Sequence, residues 1–157
     1  MTTGFEPLPD GRIAVDLPQG LRSFVIDATD IVAANVADSS APGYDRVCSP
    51  VDPSLDDDDP LARLERQMSI EALCEDVRTS AENSELTADQ AEAWIRVLTM
   101  SSAILAHIAG IFCDDDREAA DQDVSNYLGL SNALQCSIVC ALDPELLQHL
   151  APESTEE

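Results

Sequence analysis

The stretch AWIRVLTMSSAILAHIAGIF, Ala93 to Phe112, is the most apolar run of the chain and decides its fold. A helix that spans a membrane needs about 20 predominantly apolar residues. The continuous apolar part of this run is shorter, because Arg96 and His107 interrupt the wider window. We therefore predict that this run forms a helix in the core of a water-soluble protein and does not span a membrane.

Placed on a helix at about 100° per residue, this run has an apolar face and a polar face. Thr87, followed three residues later by Gln90, has the pattern of a capping box and predicts that the helix begins there. His107 lies on the polar face without a second metal ligand one turn away. We interpret it as a solvent-facing side chain, the alternatives being an acid–base group or a metal ligand. The apolar face comprises Ala91, Trp94, Leu98, Ser101, Leu105, Ile108 and Phe112.

The 157 residues fit one domain and carry a strongly acidic charge balance. Thirty-one carboxylates stand against eight arginines and no lysine, so the net charge is −23. Such a surface repels nucleic-acid phosphates and anionic lipids. We expect no direct binding to nucleic acid or to a membrane. The acidity favours solubility, and the alternative is a role in binding a basic partner or a divalent cation.

No pattern of catalytic or metal-binding residues stands out in the sequence. Five cysteines, an odd number without regular spacing, do not resemble a disulfide framework and predict reduced thiols in the cytoplasm. The N-terminal MTTGFEPLPDGR has neither a basic start nor an apolar segment, which predicts no signal peptide. Because the chain also lacks a Gly-rich phosphate loop and a nucleophile elbow, we expect no enzyme, no catalytic residue, no metal and no cofactor.

The N-terminal part predicts a β-hairpin followed by a helix. Asp10-Gly11 forms a turn between two short alternating segments, the second of which has Ile13 and Val15 on one side. Two strands alone are marginally stable, so they must pack on helices. Apolar residues then recur at helical spacing from Pro18 to about Asp38.

The segment Ser39–Asp59 contains three prolines and four consecutive aspartates, which predict an acidic, Pro-rich loop or linker. Calcium binding is the alternative, but the glycine and glutamate of an EF-hand loop are not at the required spacing. Asp59 is expected to cap a short helix with Pro60 in its first turn. Ser69 is expected to cap another, in which Glu75 and Arg78 can pair.

The last long helix is predicted over about Arg117–Leu142. One side is broadly apolar, and the other carries a seam of small residues at helical spacing. We name this the small-residue seam: Gly129, Ala133, Cys136 and Cys140. Small side chains let another backbone come close, so the helix is either sandwiched centrally or uses the seam for a subunit contact, such as a homodimer. A metal held by the two cysteines would need two further ligands that the sequence does not supply.

Together these patterns predict a mainly α protein, a single-domain bundle of about five helices with a small N-terminal β-hairpin. The domain is expected to cover residues 1–150, followed by a disordered acidic tail over 151–157. The helices at Thr87–Phe112 and Arg117–Leu142 should pair antiparallel, because only a short connection joins them.

Three segments, DDPLARL, TADQAEAWIRVLTMSSAILAHIAGI and YLGLSNALQCSIVCAL, resemble in order an uncharacterised actinobacterial family, a domain of unknown function (number two thousand and seventeen). The likeness is closest over Gln90–Leu98 and Tyr127–Leu142. It implies a small, soluble, mainly helical protein whose gene often lies beside that of the adaptor of the Clp protease. It supplies no catalytic or binding residues, and the basic middle segment of the family is reduced here to Arg78.

From these observations we expect a non-enzymatic protein-interaction or regulatory module with a protein partner. The resemblance implies the Clp protease machinery as that partner and a link to regulated proteolysis. Two other functions stay open: a transcription-associated regulator that acts through a partner, and an enzyme whose carboxylate or cysteine site is not visible in the sequence.

Overall fold

The computed structural model describes residues 4–48 and 59–145. In these ranges the fold is mainly α with a small antiparallel sheet near the N-terminus, as the sequence predicted; it has six helices, where about five were expected. The helices are α1 (Gln19–Ala37), α2 (Tyr44–Cys48), α3 (Pro60–Ser80), α4 (Ala88–Ile108), α5 (Asp114–Ala119) and α6 (Gln122–Leu142). The strands are β1 (Phe5–Pro7), β2 (Ile13–Val15) and β3 (Glu85–Leu86).

The predicted hairpin is present and gains a third strand. β1 and β2 pair antiparallel around the turn, where Gly11 has a φ of 87°, a value that glycine adopts at little cost. β3 then pairs with the other edge of β2, with Ile13 opposite Leu86. Both residues of that pair are fully buried. The sheet therefore has one face in the core, as its alternation predicted.

Helix α4 is the centre of the bundle, because it packs against α1, α3 and α6. Its capping box is confirmed: the Thr87 hydroxyl accepts from the Gln90 N–H, and the Gln90 side chain accepts from the Thr87 N–H. Trp94 is fully buried, and its indole N–H donates to the Ser80 hydroxyl at 2.8 Å. The ring of Phe5 meets that indole edge-on, with ring centres 6.2 Å apart. The hairpin thus packs on the helices.

Helix α3 begins as predicted, with the Asp59 carboxylate accepting from the Leu61 N–H at 3.0 Å and Pro60 in the first turn. It then continues without a break to Ser80, so the prediction of a new helix at Ser69 is wrong. Nothing between the two predicted segments interrupts the helix, because they contain no glycine or proline after Pro60.

The predicted Glu75–Arg78 pair is also replaced. The Arg78 guanidinium instead reaches Asp30 on α1 at 3.2 Å, so it joins two helices and does not pair along its own. Helix α3 packs against α1 and α4, with Cys74 and Val77 fully buried.

The segment Ser39–Asp59, expected to be a loop, contains the short helix α2, for which the sequence has no clear helical pattern. Tyr44 and Cys48 are buried, and the side-chain oxygen of Asn35 accepts the Gly43 N–H at 2.9 Å. These contacts attach the start of the segment to the core. The remainder of the segment, 49–58, lies outside the described residues, as does the predicted acidic tail 151–157.

The single helix predicted over Arg117–Leu142 is two helices. α5 ends at Ala119, and α6 starts at Gln122 after Asp121, whose carboxylate accepts the Asp123 N–H at 2.8 Å. The side chain of Asp121 therefore caps a new helix at a place where the periodicity had predicted continuity. Among the described helices, none is both long enough and apolar enough to cross a membrane.

Candidate docking site between α4 and α6

Helices α4 and α6 pair antiparallel, as predicted, and small polar side chains hold them together. The Ser102 hydroxyl donates to the Ser131 hydroxyl at 2.8 Å, and Ser131 donates to the Leu98 carbonyl at 3.2 Å. Further towards the other end of the pair, Thr99 donates to the Gln135 side chain at 2.8 Å. Such short side chains allow the two backbones to approach closely.

Tyr127 adds a hydrogen bond from its hydroxyl to the Ser101 hydroxyl at 2.9 Å. Burial raises the pKa of Tyr127 above its ordinary value, which opposes ionisation of the phenol. Its ring packs against Phe24 of α1 with ring centres 4.7 Å apart. The tyrosine therefore links three helices, and its hydroxyl is used within the protein.

The end of α4 redirects the chain. Gly110 has a φ of 71°, its N–H donates to the His107 carbonyl, and the Ile111 N–H donates to the Ala106 carbonyl at 2.8 Å. This pair of bonds is the Schellman motif, which ends a helix at a glycine in the left-handed conformation. The apolar face of α4 therefore ends near Leu105, and the expectation that Ile108 and Phe112 belong to the buried face is wrong.

The segment after Gly110 is held by an aspartate. The Phe112 N–H donates to the Asp116 carboxylate at 3.0 Å, and this bond, together with hydrogen bonds from Cys113, lowers the pKa of Asp116. The backbone is fixed while the ring projects outward: Phe112 is 79% exposed and Ile108 is 52% exposed. Two large apolar side chains thus stand in solvent at the same end of α4.

Phe112 borders a groove of about 430 Å³ between α4 and α6, which we call the α4–α6 groove. Small residues of α4 form one side, residues of α6 the other, and the segment 111–114 closes one end. The lining includes Ser102, Ala103, Ala106, Ile111, Phe112, Leu128, Asn132 and Gln135. The groove is within the size range of roughly 300–1,000 Å³ that is usual for binding pockets.

The small-residue seam lies beside this groove and does not line it. Ala133 and Cys136 are exposed, whereas Gly129 and Cys140 are partly buried. The buried face of α6 is the opposite one, formed by Ser131, Leu134, Ile138 and Ala141. The interpretation of α6 as a helix sandwiched centrally is therefore wrong, and the seam faces outward. The subunit contact stays a prediction.

The other candidate groups are dispersed. His107 is exposed on the last turn of α4, as expected. All five cysteines are free; Cys48 and Cys74 are buried, and burial raises the pKa of both thiols, which opposes thiolate formation. Within the described ranges, no three His, Cys, Asp or Glu side chains come together in a way that could hold a metal ion.

Comparisons with known proteins do not assign this chain to a family. No family model matches the chain, and neither a curated protein nor a solved structure matches it. The resemblance to the actinobacterial family stays a prediction.

Sequence reasoning missed the groove because it extended α4 through Gly110. The signal was present, since a glycine after an apolar helical run is typical of the position that ends a helix. Giving this glycine more weight than the periodicity would have placed Ile111 and Phe112 in a connection. The exposure of Phe112 would still not have followed, because it depends on how the connection folds back.

Proposed function

We propose that this chain is a non-enzymatic protein-interaction or regulatory module that binds a protein partner at the α4–α6 groove. The observation that carries the proposal is the exposure of Phe112 in the lining of the groove. Ile108 is also exposed, in the last turn of α4. Aromatic side chains are enriched among the residues that dominate protein interfaces. A fixed backbone beneath Phe112 also lowers the entropy lost when a partner covers the ring.

The charge around the groove indicates the chemistry of the partner. Asp114 lines the groove, Asp115 and Asp116 follow it in α5, and the whole chain carries −23. A partner with an apolar side chain for the groove and basic residues around it would complement both features. The same charge disfavours direct binding to nucleic acid, so a role in transcription would require a partner with its own basic surface.

The link to regulated proteolysis is a separate part of the proposal and rests on the resemblance alone. A cytoplasmic protein encoded beside the adaptor of the Clp protease would meet that machinery. The groove supports a protein partner in general, and the resemblance supports this particular one.

The test is an affinity purification of the tagged full chain from lysate of its own cells, with Phe112→Ser as the variant. Loss of a central aromatic contact commonly costs about 2 kcal/mol or more, which predicts an affinity for a specific partner that is at least about thirtyfold weaker and a correspondingly lower recovery. Leu61→Ser is the matched control, because Leu61 is 62% exposed on α3, away from the groove. Nuclease treatment should change nothing.

Partners that are lost equally from both variants, or retained by both, would contradict the groove as the docking site. Clp components that depend on Phe112 would support both parts of the proposal. Other basic proteins that depend on Phe112 would support the groove and remove the link to proteolysis. Recovery of this chain alone, unaffected by Phe112→Ser, would favour self-association through the small-residue seam.

A further inference from the structure

Two of the eight arginines line one pocket on the side of the bundle where α2, α3 and α4 meet. Its volume is about 460 Å³, and it shares no lining residue with the α4–α6 groove. Its wall contains both apolar and charged side chains, among them Val47, Glu65, Arg66, Ile70, Arg96 and Met100.

Arg66 is fixed at one nitrogen and unpartnered at another. Its Nε donates a hydrogen bond to the carbonyl of Cys48, the last residue of α2. Its Nη2 is buried and has no hydrogen-bond acceptor among the described residues. A buried charged donor without a partner is costly, and native proteins rarely leave one. Arg66 also lines the pocket, so its guanidinium is a positive charge that an anion bound there would meet.

Arg96 brings a second positive charge to the same pocket from α4. It is exposed and takes part in none of the ion pairs found among the described residues, which use Arg12, Arg63 and Arg78. Met100 lies one helical turn further along α4, and Ile70 faces the pocket from α3. The pocket therefore combines two guanidinium groups with an apolar wall.

The charges and the apolar side chains around the pocket indicate which class of anion it can bind. Glu65 lies in the same wall, and the net charge of −23 repels polyanions such as nucleic acids from the whole surface. A monoanion meets less repulsion. Guanidinium groups match the planar geometry of a carboxylate. A hydrated inorganic ion has no apolar part that could pack against the apolar wall.

We propose that this pocket binds a small carboxylate with an apolar body. The carboxylate accepts hydrogen bonds from Arg66 and Arg96, and the apolar body packs against Val47, Ile70 and Met100. The site shares α4 with the α4–α6 groove but none of its lining residues, so it is a separate site from the one proposed for a protein partner.

The test is a titration of the full chain with hexanoate, followed by calorimetry and by the NMR signals of the methionine methyl groups. Met100 lines the pocket, whereas Met68 is exposed on α3 and does not line it, so each titration contains an internal reference. We expect a saturable shift of the Met100 signal with hexanoate. Binding of 1-hexanol, which lacks the charge, and of inorganic phosphate, which lacks the apolar body, should be weaker.

Arg96→Gln removes one guanidinium group and should weaken hexanoate binding about tenfold, the usual effect of losing a hydrogen bond to a charged group. Arg46→Gln is the matched control, because Arg46 is an exposed arginine of α2 that does not line the pocket. It makes the same change in net charge and should alter the affinity by less than about twofold. Equal weakening by both variants would overturn the proposal. So would the absence of a saturable Met100 shift, or binding of phosphate or 1-hexanol as tight as that of hexanoate.

Discussion

The indole N–H of Trp94 donates to the hydroxyl of Ser80, and both residues are fully buried. Ser80→Ala leaves this donor without its acceptor, which typically costs about 1–3 kcal/mol. We expect the free energy of unfolding to fall by that amount in a urea titration followed by tryptophan fluorescence. Thr79→Ala, at an exposed neighbour on the same helix, should stay within about 0.5 kcal/mol. Equal losses in the two variants would contradict the role of this bond.

Asp116 allows a prediction about pH. Hydrogen bonds from the Phe112 backbone and from Cys113 lower the pKa of this carboxyl below its ordinary value of 3.8. The bonds therefore stabilise the folded segment at pH values above 3.8, and their contribution is lost as the pH falls through the lower, folded-state pKa. We expect the amide signal of Phe112 to titrate with a midpoint below 3.8.

The control for that titration is Asp116→Asn, which should remove the pH dependence of the Phe112 amide signal. A midpoint at or above 3.8 in the unaltered chain would mean that the bond to Phe112 does not favour the ionised carboxylate.

At the scale of secondary-structure elements, the starts of α3 and α4 were predictable, whereas the start of α6 and the end of α4 were missed. Thr87 and Asp59 cap their helices through bonds to N–H groups two or three residues away, so the sequence contains the whole signal. β3 has only two residues, too few for an alternating pattern, and it exists because β2 offers an edge. Arg78 has a neighbour of opposite charge on its own helix, yet its partner lies on α1, which no local pattern reveals.

The candidate site follows the same division. Helical spacing was sufficient to find the small-residue seam, and the short connection between the two helices was sufficient to predict the antiparallel pairing of α4 with α6. The groove beside the seam depends on the direction in which the chain leaves Gly110, and thus on contacts such as that of Asp116 with Phe112. Arg66 is a comparable case, because its unpartnered nitrogen results from burial between helices.

The junction between α1, α2 and α4 allows a test at the element scale. A Cβ at Gly43 would lie 2.6 Å from the Asn35 side-chain oxygen and 2.7 Å from a methyl group of Ile104. We expect Gly43→Ala to destabilise the protein by about 1–3 kcal/mol in thermal or urea unfolding, because neighbouring groups must move. Gly20→Ala is the matched control: nothing lies within 4 Å of its new Cβ, and a helical alanine should stabilise by up to about 1 kcal/mol. Stabilisation by both substitutions would show that the junction is loosely packed.

At the scale of the whole molecule, the net charge of −23 should make stability depend on salt. Like charges repel more strongly in the compact state, and salt screens them, since the Debye length falls from about 10 Å at 0.1 M to about 3 Å at 1 M. We expect the melting temperature at neutral pH to rise with sodium chloride over this range. The rise should be much smaller near pH 4.1, the isoelectric point calculated from the sequence. An equal rise at both pH values would show that general salt effects dominate.

The contact of Phe5 with Trp94 has a consequence for the order of folding during synthesis. The first strand leaves the ribosome early, but its partner in the core is made only after more than half of the chain has followed. Until then β1 lacks its contacts with α4 and α6, and an isolated hairpin is marginally stable. The N-terminus, although synthesised first, should therefore be among the last parts to become fixed, and nascent chains that end before α4 would keep an exposed apolar strand.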